Sequence, residues 1–252
     1  MWGIEYAYDE TALRAAAEAR RKRYLQWEDF HSVDDDVPEL ISTPNELYKA
    51  FQQLGLPTQY LSQPDDVDKT PLDFPITSAS VYGFDVEWGD ENSSGASLLQ
   101  IASTRKAILI DIPLLSNSVE GVDALEQTVG QLFVSKQHLV IGFSCRQDIV
   151  RLGNSYDPKK TKKWFLGSSA VRDVNTDIAK HENTLKELGL SRCCEFYMGK
   201  PLDKSEQCSA WDKRPLTRNQ RAYAALDALA CAYIYEKIHF GPEKTVPILN
   251  KG

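Results

Sequence analysis

Apolar and polar positions alternate most clearly in Val81-Tyr-Gly-Phe-Asp-Val-Glu-Trp88, which predicts a strand with two unlike faces. Two further apolar runs, Ser97–Ser103 and Lys106–Ile112, follow closely. Gly, Asn and Ser punctuate the first gap, so the three predict an antiparallel meander. From Val119 to Val134 the period changes, with Val122, Leu125, Val129, Leu132 and Phe133 near one helical face. His138–Phe143 reads as a fourth strand and Val171–Val174 as a short fifth. Ser144-Cys-Arg-Gln147 has capping-box form and predicts a helix start. Thr217-Arg-Asn-Gln220, just after Pro215, repeats that form and opens a long helix to about Ile238. Earlier in the chain, residues 1–30 read as a helix, Ala- and Arg-rich from Ala12 to Arg23, and Val33 to Pro38 as a linker. Ser42 to Leu54 predicts a helix with Thr43 as N-cap and Pro44 at its first position. A Pro- and Asp-rich stretch runs from Ser62 to Pro75. Strands followed by alternating helices and strands predict an α/β fold with a mixed sheet.

Composition narrows the class. The 252 residues are 42% hydrophobic and 26% charged, enough apolar surface for a core and too much for general disorder. No apolar run approaches the ~20 residues of a membrane-spanning helix, and acidic residues among the first thirty argue against a leader. Five cysteines without C-x-x-C spacing are expected to be free thiols in a reducing, intracellular compartment, nuclear or cytoplasmic in preference to an organelle, which stays open. The net charge of −7 disfavours nucleic acid as a partner only until its distribution is read. Residues 1–40 hold ten acids and five bases, whereas residues 159–221 hold fourteen bases and eight acids. Lys159, Lys160, Lys162 and Lys163 sit together in a polar stretch, either a solvated loop or a track for a phosphate backbone.

The candidate chemistry lies in carboxylates. Alternation puts Gly83, Asp85 and Glu87 on one face of the first strand. Paired acids at i and i+2 suit either a solvent-facing polar edge or a site for a hard divalent cation. Asp148 falls in the first turn of the helix after the fourth strand, where it either complements the helix dipole or supplies a further ligand. Tyr223 and Asp227 are one turn apart on the long helix, among Ala222, Ala224, Ala225, Leu226 and Ala228. An Asp in so apolar a setting calls for pairing or a metal. Small neighbours would let this helix approach the sheet and bring Asp227 toward Asp85.

Together these segments resemble the DEDD superfamily of 3′–5′ exonucleases, in the branch with a catalytic tyrosine. Phe84-Asp-Val-Glu-Trp88 resembles the first motif, Val140-Ile-Gly-Phe-Ser-Cys-Arg-Gln-Asp-Ile149 the second and Tyr223-Ala-Ala-Leu-Asp227 the third. Ala222 stands where the histidine branch has His. Lys204-Ser-Glu-Gln-Cys-Ser-Ala-Trp211, with Arg214-Pro-Leu-Thr217, is similar to the RNase D, Werner-type and Nibbler-type exonuclease domains. The resemblance implies an RNase H-like mixed sheet flanked by helices. It implies an extension over 1–40, an exonuclease domain over 41–240 and a tail over 241–252.

The implied activity is metal-dependent hydrolysis of phosphodiester bonds from the 3′ end of nucleic acid, RNA favoured over DNA, by two divalent ions, Mg²⁺ or Mn²⁺. In that scheme Asp85 bridges the ions, Glu87 and Asp227 hold the first, Asp148 holds the second partly through water, and Tyr223 orients the attacking water. Phe143 is a candidate for stacking on a base, with Trp88 expected to pack in the core instead; Lys204, Lys213 and Arg214 are candidates for phosphates. For Arg214 a surface pair with Asp212 or Glu206 is the competing role. Trp211 is expected to pack rather than stack on a base. Single-stranded 3′ ends are the expected partners, with a larger assembly open through the extension and no membrane. The alternative is a catalytically silent nucleic-acid-binding or scaffold subunit on the same fold.

Overall fold

The computed structural model describes residues 10–32, 35–56, 81–89, 94–135, 137–155, 171–182 and 188–241. The four lysines at 159–163, the stretch at 62–75 and most of the tail lie outside the described residues. Among the described residues six strands form one mixed sheet in the order β1-β4-β3-β2-β5-β6. They are β1 (Leu40–Ile41), β2 (Val81–Glu87), β3 (Leu98–Ala102), β4 (Ala107–Asp111), β5 (Leu139–Gly142) and β6 (Val171–Asp173). β2, β3 and β4 form the expected antiparallel meander, with Asp85 opposite Gln100 and Gln100 opposite Leu109. β1 joins β4, and β5 joins β2 and β6, all in parallel. β2 therefore lies inside the sheet and not at a solvated edge.

Helices cover both faces. α1 (Glu10–Arg23) and α2 (Pro44–Gln53) precede β2. The capping box of α2 forms as its sequence implies: Thr43 accepts from the Glu46 N–H, and Glu46 accepts from the Thr43 N–H at 3.0 Å. After β4 come α3 (Ile112–Ser116), α4 (Val119–Leu125) and α5 (Gln131–Val134), the last two joined by a π-helical turn over Glu126–Gly130. The helix expected over 119–134 is thus present with a π insertion. α6 (Arg146–Asn154) follows β5, α7 (Val174–His181) follows β6, and α8 (Leu190–Met198) comes before the long α9 (Arg218–Phe240). Thr217 and Gln220 close a reciprocal capping box at the start of α9.

The second expected capping box does not form. α6 begins at Arg146 with no side-chain cap from Cys145. Ser144 instead takes a positive φ of 52°, and its N–H donates to Asp173 Oδ1 at 2.9 Å. A partner from β6 thus outcompetes the local one, and the turn after β5 is sharper than the sequence implies.

The sheet divides the apolar residues into two layers. One holds α9, α8 and β-sheet residues such as Val81 and Leu139; the other holds Phe51, Phe84, Phe133 and Leu125. Leu25, Trp27 and Val37, from the stretch read as extension and linker, belong to the first layer. α9 lies directly over β2. A Cβ placed on Gly83 would fall 1.8 Å from the Ala228 carbonyl oxygen and 2.9 Å from the Ala232 nitrogen. No rotamer relieves a clash with backbone, so this position requires the absence of a side chain.

Gly83→Ala should therefore destabilise the fold by about 3 kcal/mol or more, the upper end for an overpacked core. Urea denaturation monitored by circular dichroism tests this. A midpoint equal to that of the unsubstituted chain would show that α9 can retreat without loss.

Candidate active site

The C-terminal half of β2 carries the first two acidic groups. Strand alternation directs Asp85 and Glu87 to the face of Gly83, beneath α9. The small residues Ala224, Ala225 and Ala228, all fully buried, keep α9 close. One turn of α9 then brings Tyr223 and Asp227 over the strand. Asp85, Glu87 and Asp227 each place a carboxylate oxygen within 4.8 Å of the other two. Among the described residues no other trio of His, Cys, Asp or Glu converges so tightly. Asp148, in the first turn of α6, stands beside this trio on the wall of the same groove.

Such a cluster is electrostatically costly. Glu87, Asp148 and Asp227 are buried, and Asp85 is half-buried. Burial, followed by Asp227 and Asp148, drives the Asp85 carboxyl well above the usual carboxylate range. Glu87 rises through burial and then Asp85. Asp148 is pushed up to about 7 by burial, Asp227 and Asp173. Burial, with Asp227 and Glu87 next, also lifts the Tyr223 phenol far above its ordinary range, so it stays protonated at neutral pH. Asp227 Oδ1 is buried without a hydrogen-bond partner. Convergent carboxylates, raised proton affinities and an orphaned oxygen together fit a divalent cation, and the all-oxygen trio suits a hard ion better than zinc.

The groove above the cluster has a volume of about 1080 Å³. Phe143 and Lys204 line it. Lys204 Nζ is 3.6 Å from Asp227 Oδ1 and 3.5 Å from the Tyr223 hydroxyl. Trp211 is 1% exposed, its ring 6.0 Å from that of Tyr223, in the packing role expected. Trp88 is half-buried against the second core layer, with the Arg151 guanidinium 5.0 Å from its ring centroid.

Arg214 stands elsewhere. It does not line the groove, and neither Asp212 nor Glu206 is its partner. Its guanidinium pairs with the buried Asp111 and donates to the carbonyls of Trp211 at 2.7 Å and Ser97 at 2.9 Å. Those bonds hold the segment before α9 against β3 and β4, which corrects the phosphate role considered from sequence. The sequence also left unmarked Leu190, Ser191 and Arg192 at the start of α8, which form another part of the groove lining. Gly189, at the N-cap position of α8, was the available signal.

Comparison with known proteins accords with this geometry. Residues 72–240 match the family described as 3′-5′ exonuclease. Exonuclease mut-7 of Caenorhabditis elegans is 32% identical over 173 residues, covering 64% of this chain and 19% of that protein. The chain spans between 19% and 26% of the length of the first curated relatives it matches. Among solved structures, the Aedes aegypti Nibbler EXO domain superposes with a TM-score of 0.57 at 21% identity, over 84% of this chain and 91% of that one. Trypanosoma brucei RNase D, in complex with RNA U12, gives 0.54 at 16% identity, over 84% and 65%. These structural likenesses establish the RNase H-like fold. The family match spans most of the chain, and the chain belongs to the 3′–5′ exonuclease family, with residues 72–240 as its 3′–5′ exonuclease domain.

Proposed function

We propose that the protein removes nucleotides from the 3′ end of single-stranded nucleic acid, RNA in preference to DNA, with two Mg²⁺ or Mn²⁺ ions as cofactor. The observation that carries this reading is the trio of carboxylate oxygens within 4.8 Å of one another at the floor of an open groove. Asp85, central in the strand, would hold the ions together with Glu87 and Asp227, and Asp148 would contribute from the wall of the groove. When bound, such ions lower the pKa of water and neutralise charge on the attacking and leaving oxygens.

Tyr223 is assigned to position the attacking water. Its phenol keeps its proton and is therefore not the base. Phe143 offers a ring for stacking on a base, and Lys204 an ammonium for a phosphate. The RNA preference is supported by the RNA U12 complex of the RNase D neighbour. Larger assembly is assigned to the Arg14–Arg23 part of α1 in the N-terminal extension, where the described side chains are exposed. End-labelled RNA and DNA, incubated with Mg²⁺, Mn²⁺ or EDTA, test the proposal. Shortening from the 3′ end that EDTA abolishes supports it, and endonucleolytic or metal-independent products overturn it.

Asp85→Asn should abolish cleavage while single-strand binding persists. Near-normal turnover by the purified variant would remove the metal assignment. Tyr223→Phe retains the ring and loses the hydroxyl, so its single-turnover rate should fall by about 10²–10⁴-fold with metal affinity preserved. An unaltered rate at saturating metal would exclude the water-positioning role.

Asp148 binds its proton more tightly in the folded chain, at about 7 against an ordinary 3.8. Its stabilising contribution is complete below the unfolded value and lost as pH rises through about 7. Chelated protein should therefore melt at lower temperature at about pH 8 than at about pH 5.5, and added Mg²⁺ should restore more stability at the higher pH. Melting curves across pH, with and without Mg²⁺, provide the check; a metal-induced gain independent of pH would contradict it.

A further inference from the structure

Asp85, Glu87 and Asp227 gather negative charge in a poorly solvated place, and among the described residues one basic side chain pairs with them. Lys204 Nζ lies 3.6 Å from Asp227 Oδ1, an oxygen with no hydrogen-bond partner, and 3.5 Å from the Tyr223 hydroxyl. It also stands 5.7 Å from the centroid of the Tyr223 ring, in cation–π range. Among the described residues no other ion pair reaches the three carboxylates.

The backbone carrying this ammonium is held from two sides. Lys204 begins a 3-10 turn, Lys204–Glu206, whose N-cap Asp203 accepts from the Ser205 N–H at 3.1 Å. Arg20 of α1 donates to both Asp203 and Ser205, the residues on either side of Lys204. The Leu25 N–H donates to the Pro201 carbonyl at 2.9 Å, and Leu202 is buried. A long flexible side chain ordinarily loses entropy on pairing; here its root is already fixed.

We propose that Lys204 is the internal counter-cation of the carboxylate cluster, standing in for divalent charge when the metals are absent and competing with them for Asp227 when they bind. This rests on the metal-site reading above and adds a residue to it. A Lys at this distance shields Asp227 in the metal-free chain, and the same charge opposes an incoming cation. Once the ions hold Asp227, the ammonium is released to the groove it already lines, where a phosphate is its natural acceptor.

Metal-free stability and metal affinity test the proposal without reference to cleavage. In the full chain with EDTA at about pH 8, Lys204→Met should melt about 4 °C or more below the unsubstituted protein. Lys204→Arg, which keeps the charge, and the exposed Lys213→Met should melt as the unsubstituted protein does. In an Asp227→Asn background, where Lys204 loses its nearest carboxylate, the melting difference between Lys204 and Met should shrink. By calorimetry, Mn²⁺ should bind Lys204→Met about tenfold more tightly, since a unit positive charge beside the site is gone. Equal melting of Lys204→Met and Lys213→Met under EDTA, or Mn²⁺ affinity unchanged or weakened in Lys204→Met, overturns the proposal. Should Lys204→Met not fold, Arg20→Ala loosens the same turn; it should tighten Mn²⁺ binding less strongly, and an unchanged affinity there overturns the proposal. If the unsubstituted chain binds no Mn²⁺ at all, the exonuclease metal site fails, while the melting comparison under EDTA still judges Lys204.

Discussion

The carbonyl oxygen of Ala228 occupies the space that any side chain at position 83 would need. That close approach of helix to strand sets the distance between two pieces of chain separated by some 140 residues. Asp85 and Glu87 lie one and two strand pleats beyond Gly83 on its face, and Asp227 and Tyr223 lie at the start of the α9 turns that cross it. Move the helix outward by a methyl group and the oxygens within 4.8 Å of each other separate. Backbone packing, more than any attraction among the acids, is what brings them together, since like charges repel and their burial adds to the cost.

Such a site is held against its own electrostatics by rigid surroundings. Arg214 contributes to this from outside the groove, pairing with Asp111, which also caps α3 by accepting from the Leu114 N–H at 3.1 Å. One buried ion pair thereby ties the segment preceding α9 to the end of β4. Asp173 plays a similar part on the other side, capping α7 and accepting from Ser144, so that the turn delivering Asp148 is determined by β6. Neither of these residues lines the groove, yet each sets where a groove residue can be.

Much of this was legible in the sequence because it depends on period. The alternation from Val81 to Trp88 exposed the shared face of Asp85 and Glu87, and the Ala-rich spacing around Tyr223 and Asp227 exposed a helix able to pack closely. β1, with two residues, is too short to show a period and was missed. α8 was missed for another reason. Its buried positions are Leu190, Cys193, Cys194 and Met198, a helical spacing that disappears when cysteines are counted as thiols instead of apolar residues. Arg214 and Asp111 are 103 residues apart, and no local pattern marks that pair. Leu25, Trp27 and Val37 are isolated apolar residues in polar surroundings, so nothing in their neighbourhood announced the core they join.

The order of the elements has a consequence for biosynthesis. β2 and its hairpin partners β3 and β4 are neighbours in sequence and can pair soon after they are made. Tyr223 and Asp227 arrive only with α9, more than a hundred residues later. A chain emerging from the ribosome thus exposes half of the carboxylate cluster without the half that completes it. The groove acquires its full set of acids only after α9 has docked on Gly83. Until then a growing chain carries Asp85 and Glu87 without the helix that closes over them.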